Sequence, residues 1–266
     1  MPQQFELNSN ISVDCVIFGF DGEKLNVLLI EEKDIGQGML RKRLPGDLIL
    51  KNESLDDAAD RVLYELARLR NVTLKQCHTF GDPSRVNDLK DRKWLELYRK
   101  DPSERVITTA YYALVKMADF VPNPSSFAGE ALWCAIQEVP EMAFDHNEIV
   151  EVALWKLQRH FELYKSGYEL LPKKFTLNQL QQLHEAISQV ELDKRNFRKK
   201  VVRDKRIEAT DEKQDNVLHK PARLYRLKVL CVFRFQKSIP FRVNSERILL
   251  TSLSSRLYLK LLKVYI

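Results

Sequence analysis

Two apolar runs rich in β-branched residues, "SVDCVIFGF" (12–20) and "LNVLLIEEK" (25–33), stand four residues apart, with "DGEK" between them. Runs of this kind form strands, and an Asp-Gly pair at so short a spacing closes them into an antiparallel hairpin. A helix follows the hairpin: Leu55, Ala58, Ala59, Val62, Leu63 and Leu66 recur at helical spacing behind Ser54, a good N-cap, with Asp56 and Asp57 in the first turn.

Further strands are expected in "VTLKQCHTFG", "RVITTAYYALVK" and "EALWCAIQEVP". The intervening "DPSRVNDLKDRKWLELYRKDPSER" is too long for a hairpin loop and contains an amphipathic segment, "DRKWLELYRK", with Trp94, Leu95, Leu97 and Tyr98. A longer helix is expected in "FDHNEIVEVALWKLQRHFELYKSG", with Ile149, Val152, Ala153, Leu157 and Phe161 on its apolar face, joining two domains. Beyond it, "FTLNQLQQLHEAI" reads as a helix capped by Thr176 or Asn178, with Leu177, Leu180, Leu183 and Ile187 turned inward. "SQVEL" turns the chain, and "DKRNFRKKVVRDKR" starts a second helix at its own cap, Asp193. "IEATDEKQDNVLHKPARLYRL" closes the unit as two strands around a polar loop. Helix, turn, basic helix and wing make a winged helix-turn-helix.

Charge follows this division. Residues 1–150 hold 18 Lys and Arg against 25 Asp and Glu, residues 151–226 hold 17 against 11, and residues 227–266 hold 8 against 1, within a net charge of +6. An acidic first part before a basic second part suits a chain of which one domain meets a polyanion. Lys194, Arg195, Asn196, Arg198 and Lys199 fall in the first two turns of the basic helix, with Lys220 and Arg223 on the wing. Arg reads guanine and Asn adenine through paired hydrogen bonds, while Lys neutralises phosphate. Phe197, Val201 and Val202 are expected to face the core.

Several classes are disfavoured. Cys15, Cys77, Cys134 and Cys231 are far apart, and His78, His146, His160, His184 and His219 show no metal spacing with one another or with cysteine. His146 reads as a helix-start or packing residue. No apolar run approaches the length of a membrane span, so a cytoplasmic chain without a membrane role is expected. The tail 227–266 receives no function.

The order "VDCVIFGFDGEKLNVLLIEEK", "LPGD…ESLDDAADR", "HTFGDPSR", "RVITTAYYALV", "FDHNEIVEVAL" and "FTLNQLQQLHEAI…LDKRNFRKK" resembles the Nudix-related transcriptional regulators over about residues 10–226. The resemblance implies an α+β chain: a Nudix-like α/β/α sandwich with a mixed sheet over 1–150, then a winged helix-turn-helix with its linking helix over 151–226. Laid on the Nudix signature, Asp47 takes the first Gly position beside Gly46. Glu53 and Arg61 match, Val62 replaces a Glu, Leu63 matches, and Glu65 matches the first of a Glu pair. Leu66 replaces the second, Arg68 stands for the late Gly, and Leu69 matches the final apolar position.

Mg²⁺ for pyrophosphate hydrolysis needs several hard oxygens, and side chains at 62, 65 and 66 would converge on it from one helical face. Two of those three are aliphatic. The expectation is therefore a chain without catalytic residues, metal or cofactor, whose Nudix domain senses a ligand. Glu31, Arg43, Gly46, Asp47 and Asp82 are the candidate ligand groups, since carboxylates and a forked Arg suit sugar hydroxyls. The alternative for each is a turn residue or a surface ion pair. The resemblance implies ADP-ribose in the branch that governs nicotinamide metabolism, or a free pentose in branches that govern sugar use. Few cations besides Arg41, Lys42 and Arg43 stand near the old cleft, and the insertion around "NDLKDRKWLELYRK" is similar to the arabinose-responsive branch. L-arabinose is thus the expected effector, acting on a homodimeric repressor bound to a palindromic double-stranded operator. The rivals are an active Mg²⁺-dependent hydrolase of ADP-ribose-like substrates and a sensor that acts through a protein partner.

Overall fold

The computed structural model describes residues 7–33, 40–86, 91, 95–96, 101–120, 130–165, 167–215 and 220–228. The hairpin forms as expected from β1 (Leu7–Phe20) and β2 (Leu25–Lys33), with Phe18 opposite Val27. β3 (Leu40–Arg43), β4 (Gly46–Leu50), β5 (Lys75–Phe80), β6 (Ile107–Lys116) and β7 (Glu130–Ala135) complete a seven-stranded sheet. Its main path runs β3-β2-β1-β6-β5, with β4 on β1 and β7 on β2. β1 and β6 run parallel from Ile11↔Ile107 to Phe20↔Lys116, and the other pairs are antiparallel, so the sheet is mixed.

Both faces of β1 are covered, which is why its sequence hardly alternates. Val13, Cys15 and Ile17 pack with Ala58, Ala59, Val62 and Leu63 of helix α1 (Leu55–Ala67). Val16, Phe18 and Phe20 lie on the other face, in a cluster with Ile149, Ala153, Leu157 and Phe161 of helix α2 (His146–Tyr164). This is the expected α/β/α sandwich. Asp91, Leu95 and Glu96 of the expected amphipathic segment are helical, while Trp94, Leu97 and Tyr98 lie outside the described residues.

Caps explain the helix limits. Ser54 accepts a hydrogen bond from the Asp57 amide at the start of α1, which ends at Arg68 in the left-handed conformation, φ 57°. A glycine reaches that conformation without a Cβ penalty, so the replaced Gly of the Nudix signature was a helix C-cap. Helix α3 (Leu177–Ser188) starts with a capping box between Thr176 and Gln179, which decides the cap in favour of Thr176 over Asn178. Helix α4 (Lys194–Val202) starts at Asp193, whose carboxylate accepts from the Asn196 amide. The wing is β8 (Ile207–Lys213) with β9 (Arg223–Leu227), and Phe175 adds a bridge to Tyr225. Leu180, Leu183, Ile187, Phe197 and Val201 join the α2-side core. Val202 departs from expectation and is 74% exposed. Phe197 and Val201, four apart, share one face of the helix, and the next residue is turned about 100° away from it. Among the described residues no helix is long and apolar enough to cross a membrane.

One charge sits in the middle of the first strand. Asp14 is buried, accepts from the Thr108 hydroxyl at 2.6 Å, and lies 3.4 Å from His146 Nε2 and 3.9 Å from Arg85. Gly46 pairs with it across β4, and a Cβ built there would overlap the Asp14 carboxylate. Two glycine-related substitutions should therefore move stability in opposite directions. Gly46→Ala should cost about 1–3 kcal/mol by overpacking, whereas Arg68→Gly should gain about 0.5–1 kcal/mol by relieving the left-handed residue. Urea denaturation midpoints at constant slope would measure both, and a neutral Gly46→Ala would contradict the packing described.

Candidate functional site

The degenerate Nudix helix is a closed arrangement. Arg61 donates from Nε to Glu53 at 2.8 Å, from Nη2 to Glu53 and to the Leu48 carbonyl at 3.0 Å each, and from Nη1 to Glu65 at 3.0 Å. Glu53 also accepts from the Leu50 amide, and Arg61 foremost, despite partial burial, holds its carboxyl below the usual range. Val62 is fully buried, and Leu66 packs against the same core. Two positions that would offer oxygen to a metal are thus hydrocarbon inside the α1 core, and Arg61 engages the two carboxylates that remain. These residues do not fit Mg²⁺, and among the described residues no group of three or more His, Cys, Asp or Glu side chains could hold a metal.

The five candidate ligand residues are not gathered into one site. Glu31 faces Lys42 across β2 and β3 at 3.5 Å, while Arg43 pairs with Glu32 at 2.5 Å and donates to the Leu44 and Gly46 carbonyls. Asp47 lies 3.8 Å from Arg61 and accepts from the Leu48 amide. Asp82 accepts from the Ser84 amide and hydroxyl, an Asx turn, and these bonds lower its pKa. Gly46 provides the space that Asp14 occupies. Arg43, Gly46 and Asp47 are neighbours, and Asp82 belongs to the loop after β5.

Sequence reasoning placed His146 as a helix-start or packing residue, which its buried position at the start of α2 matches, but passed over the polar groups around it. Arg85 forks onto both oxygens of Asp145 at 2.8 and 2.7 Å, and Asp145 is the N-cap residue of α2. The next residue, His146, accepts from the Leu44 amide through Nδ1 at 3.0 Å, which leaves Nε2–H to face Asp14. Burial by itself would raise the Asp14 pKa, but His146, Arg85 and Thr108 outweigh it and hold the carboxyl below the usual carboxylate range. A signal existed: Asp14 is the lone charge in the apolar run "SVDCVIFGF". Beside these groups opens a cleft of about 270 Å³, and none of the five candidate ligand residues lines it.

The basic helix presents the other surface. Lys194, Arg195, Asn196, Arg198, Lys199 and Lys200 are exposed, while Phe197 and Val201 anchor the helix from below. None of its five cations forms an ion pair among the described residues. Lys200, which the sequence reading did not select, belongs to the same field. On the wing Lys220 is exposed, and Arg223 is tied down, donating to the Thr210 carbonyl at 2.8 Å and lying 3.7 Å from Asp211. His219 lies outside the described residues. The tethered Arg223 suits a wing held in shape, and the unpaired helix cations suit phosphate and base edges.

Behind the basic helix, His184 of α3 joins both halves of the chain. Its Nε2 lies 2.8 Å from the Tyr168 hydroxyl, and its ring packs on Phe161 of α2 at 4.8 Å and Phe197 of α4 at 5.2 Å between centroids. Gln158 of α2 donates to the Ile187 and Ser188 carbonyls at the end of α3. The winged helix is thereby bonded to the helix that begins at the Asp14 cluster.

Comparison with known proteins agrees with this geometry. Residues 167–227 match the NrtR DNA-binding winged helix domain. The chain is 26% identical over 221 residues to the ADPR responsive transcriptional repressor NtrR of Acinetobacter baylyi, spanning 81% of each. Shewanella oneidensis NrtR has the same fold, with a TM-score of 0.59 and 26% identity over 83% of this chain and 94% of that one. The structure of Shewanella oneidensis NrtR complexed with a 27mer DNA gives a TM-score of 0.55 and 25% identity, over 82% and 93%.

The His184 environment sets a pH dependence. Burial first, then Lys165, Lys200 and Arg206 against the opposing Asp204, lowers its pKa from 6.5 to about 4. The fold therefore favours neutral imidazole. This stabilisation is complete above pH 6.5 and is lost as pH falls towards 4, a span on the order of 3 kcal/mol. The fall in melting temperature between pH 7 and pH 5 should be smaller in His184→Gln than in the parent chain. Equal slopes would contradict a neutral, buried His184.

Proposed function

We propose that this chain, an NrtR-like Nudix domain fused to a winged-helix DNA-binding domain, is a ligand-responsive transcriptional repressor whose effector is ADP-ribose. The observation that carries the reading is helix α4: five exposed cations without ion-pair partners among the described residues, anchored by Phe197 and Val201 between a helix-turn unit and a wing. ADP-ribose takes the place of the expected L-arabinose in this reading, supported by the relative matched over 81% of the chain, an ADPR responsive transcriptional repressor. The scarcity of cations near the old cleft had favoured a pentose. Lys42 and Arg43 indeed face carboxylates, but that count left out Arg85.

Hydrolysis is not part of the proposal. Carboxylates absent at 62 and 66 leave nothing to balance a metal, and Arg61 engages what remains. Repression then requires two recognition helices on an inverted repeat, hence a homodimer, with half-sites about one helical turn or ~10 base pairs apart. The effector must prefer the arrangement that misses the operator, since only a difference in affinity between states can shift them.

Fluorescence anisotropy on a duplex selected from a random pool tests the DNA reading. Arg195→Ala and Asn196→Ala should relax sequence preference at about 1–3 kcal/mol per lost base contact. Lys199→Ala and Lys220→Ala should weaken all duplexes alike and lower the salt slope by about one each. Equal losses in all four, with no preferred sequence, would reduce α4 to a solvated basic face. ADP-ribose should release the duplex, L-arabinose should not, and ADP-ribose with Mg²⁺ should remain intact. Turnover that disappears in Glu65→Gln would restore the hydrolase reading.

A further inference from the structure

Behind the basic helix the chain stacks aromatic rings and sets cations on them. Phe161 and Tyr168 lie 5.9 Å apart between centroids, and the His184 ring lies 4.8 Å from Phe161 and 5.2 Å from Phe197. On this floor Lys165 Nζ stands 5.6 Å from the Phe161 ring centre, and the Arg206 guanidinium 5.9 Å from that of Tyr168. Both side chains are half-buried. Lys200, in the last turn of α4, is near enough to act on Lys165. Burial first, then Lys200 and Arg206, pushes the Lys165 pKa down. Three cations thus crowd one another where α2, α4 and the turn into the wing meet.

Their charge is not met from within. Among the described residues Asp204 and Glu162 are the acids that act on Lys165. Arg206 already holds Asp204, with Nε at 2.9 Å and Nη2 at 2.6 Å, and Glu162 lies 3.4 Å from Arg159. Neither Lys165 nor Lys200 forms an ion pair among the described residues. Helix ends account for part of the excess. Lys165 is the C-cap of α2, Lys200 is close to the end of α4, and each C-terminus carries about half a negative charge. Two such ends offset about one charge, whereas three cations against one carboxylate leave two. Lys165 also occupies left-handed backbone, φ 52°, where Gly or Asn would cost less. A long cation kept there against its backbone preference marks a place where the charge is used.

We infer that this rim is a binding site for a small phosphate dianion, inorganic phosphate or a phosphomonoester, held by Lys165, Lys200 and Nη1 of Arg206. Asp204 fixes the guanidinium through its other two nitrogens, and the lysines supply point charges that reorient freely. The rings beneath keep water from one side, so the attraction is less screened than on an open surface. A duplex suits the rim less well: the cations that α4 turns outward, such as Arg195 and Lys199, are exposed, while Lys165 and Arg206 are recessed. The bound anion ties the end of α2 to α4 and to the start of the wing, which steadies the seat of the basic helix. The site is separate from that of the effector and does not depend on the effector's identity.

Isothermal titration of the full chain with inorganic phosphate and, separately, with glycerol phosphate tests this, at an ionic strength held constant with chloride. The parent should bind one ion per chain, and the tighter of the two names the form the site prefers. Asn tolerates left-handed backbone, so Lys165→Asn removes the charge without strain and should weaken binding about tenfold. Its melting temperature without phosphate should not fall below the parent's. Lys200→Gln should weaken binding several-fold, and it carries the decision if Lys165→Asn proves unstable. Lys173→Gln, at an exposed lysine of the same domain, should bind as the parent does. No saturable binding by the parent, parent-like affinity in both Lys165→Asn and Lys200→Gln, or an equal loss in Lys173→Gln would overturn the site. Duplex that displaces the phosphate, together with a lower salt slope for duplex binding in Lys165→Asn, would give these cations to the DNA backbone and overturn it as well.

Discussion

A carboxylate buried in the first strand sets the terms for much of this structure. Asp14 lies on the α2 face of β1, in a run whose other side chains carry no charge. An ionised group in that position is tolerable only when its charge is met and its lone pairs are filled. Thr108 supplies a hydroxyl from the parallel neighbour β6, Arg85 a charge from the loop after β5, and His146 an N–H from the first turn of α2. Gly46 yields the space. Four separate segments are thereby brought to one point, which fixes where α2 begins.

The helix that starts there performs two tasks. Its Ile149, Ala153, Leu157 and Phe161 seal the sheet, and its later turns hold the winged helix through Gln158 and through the contact of Phe161 with His184. The core is consequently continuous from Val16 and Phe18 of the sheet to Phe197 and Val201 beneath the recognition helix. A change in how α2 seats on Asp14 and Arg85 has a packed route to the DNA-facing surface. That route is a physical connection, and coupling through it requires two arrangements of α2 that ligand and operator prefer differently.

Helix α1 is tied into the fold by its own side chains. Val62 is buried in the core against β1, and Leu66 packs beside it. Arg61 then links Glu53, Glu65 and the Leu48 carbonyl, joining the helix to β4 and its following loop. The polar residues around this Nudix remnant are occupied with one another, whereas the cleft on the α2 side combines one aromatic ring, carboxylates and guanidinium groups.

Local chemistry legible in the chain fixed the elements. The Asp-Gly hairpin, the Ser54 cap, the helical stripes and the basic helix after a turn all depend on neighbours within a few residues, so periodicity and turn chemistry report them. The sequence alone also determined the absence of carboxylates at 62 and 66 and the charge of α4. It could not determine which polar residues meet. Asp14, Arg85 and His146 are separated by tens of residues, and only parallel pairing of β1 with β6 and the seating of α2 bring them together. Nor could it place Val202, whose exposure depends on the angle at which Phe197 and Val201 anchor the helix. The candidate ligand residues were chosen by their nearness to a motif in sequence. The cleft is made by contact between segments far apart in the chain, and that was decided by tertiary structure.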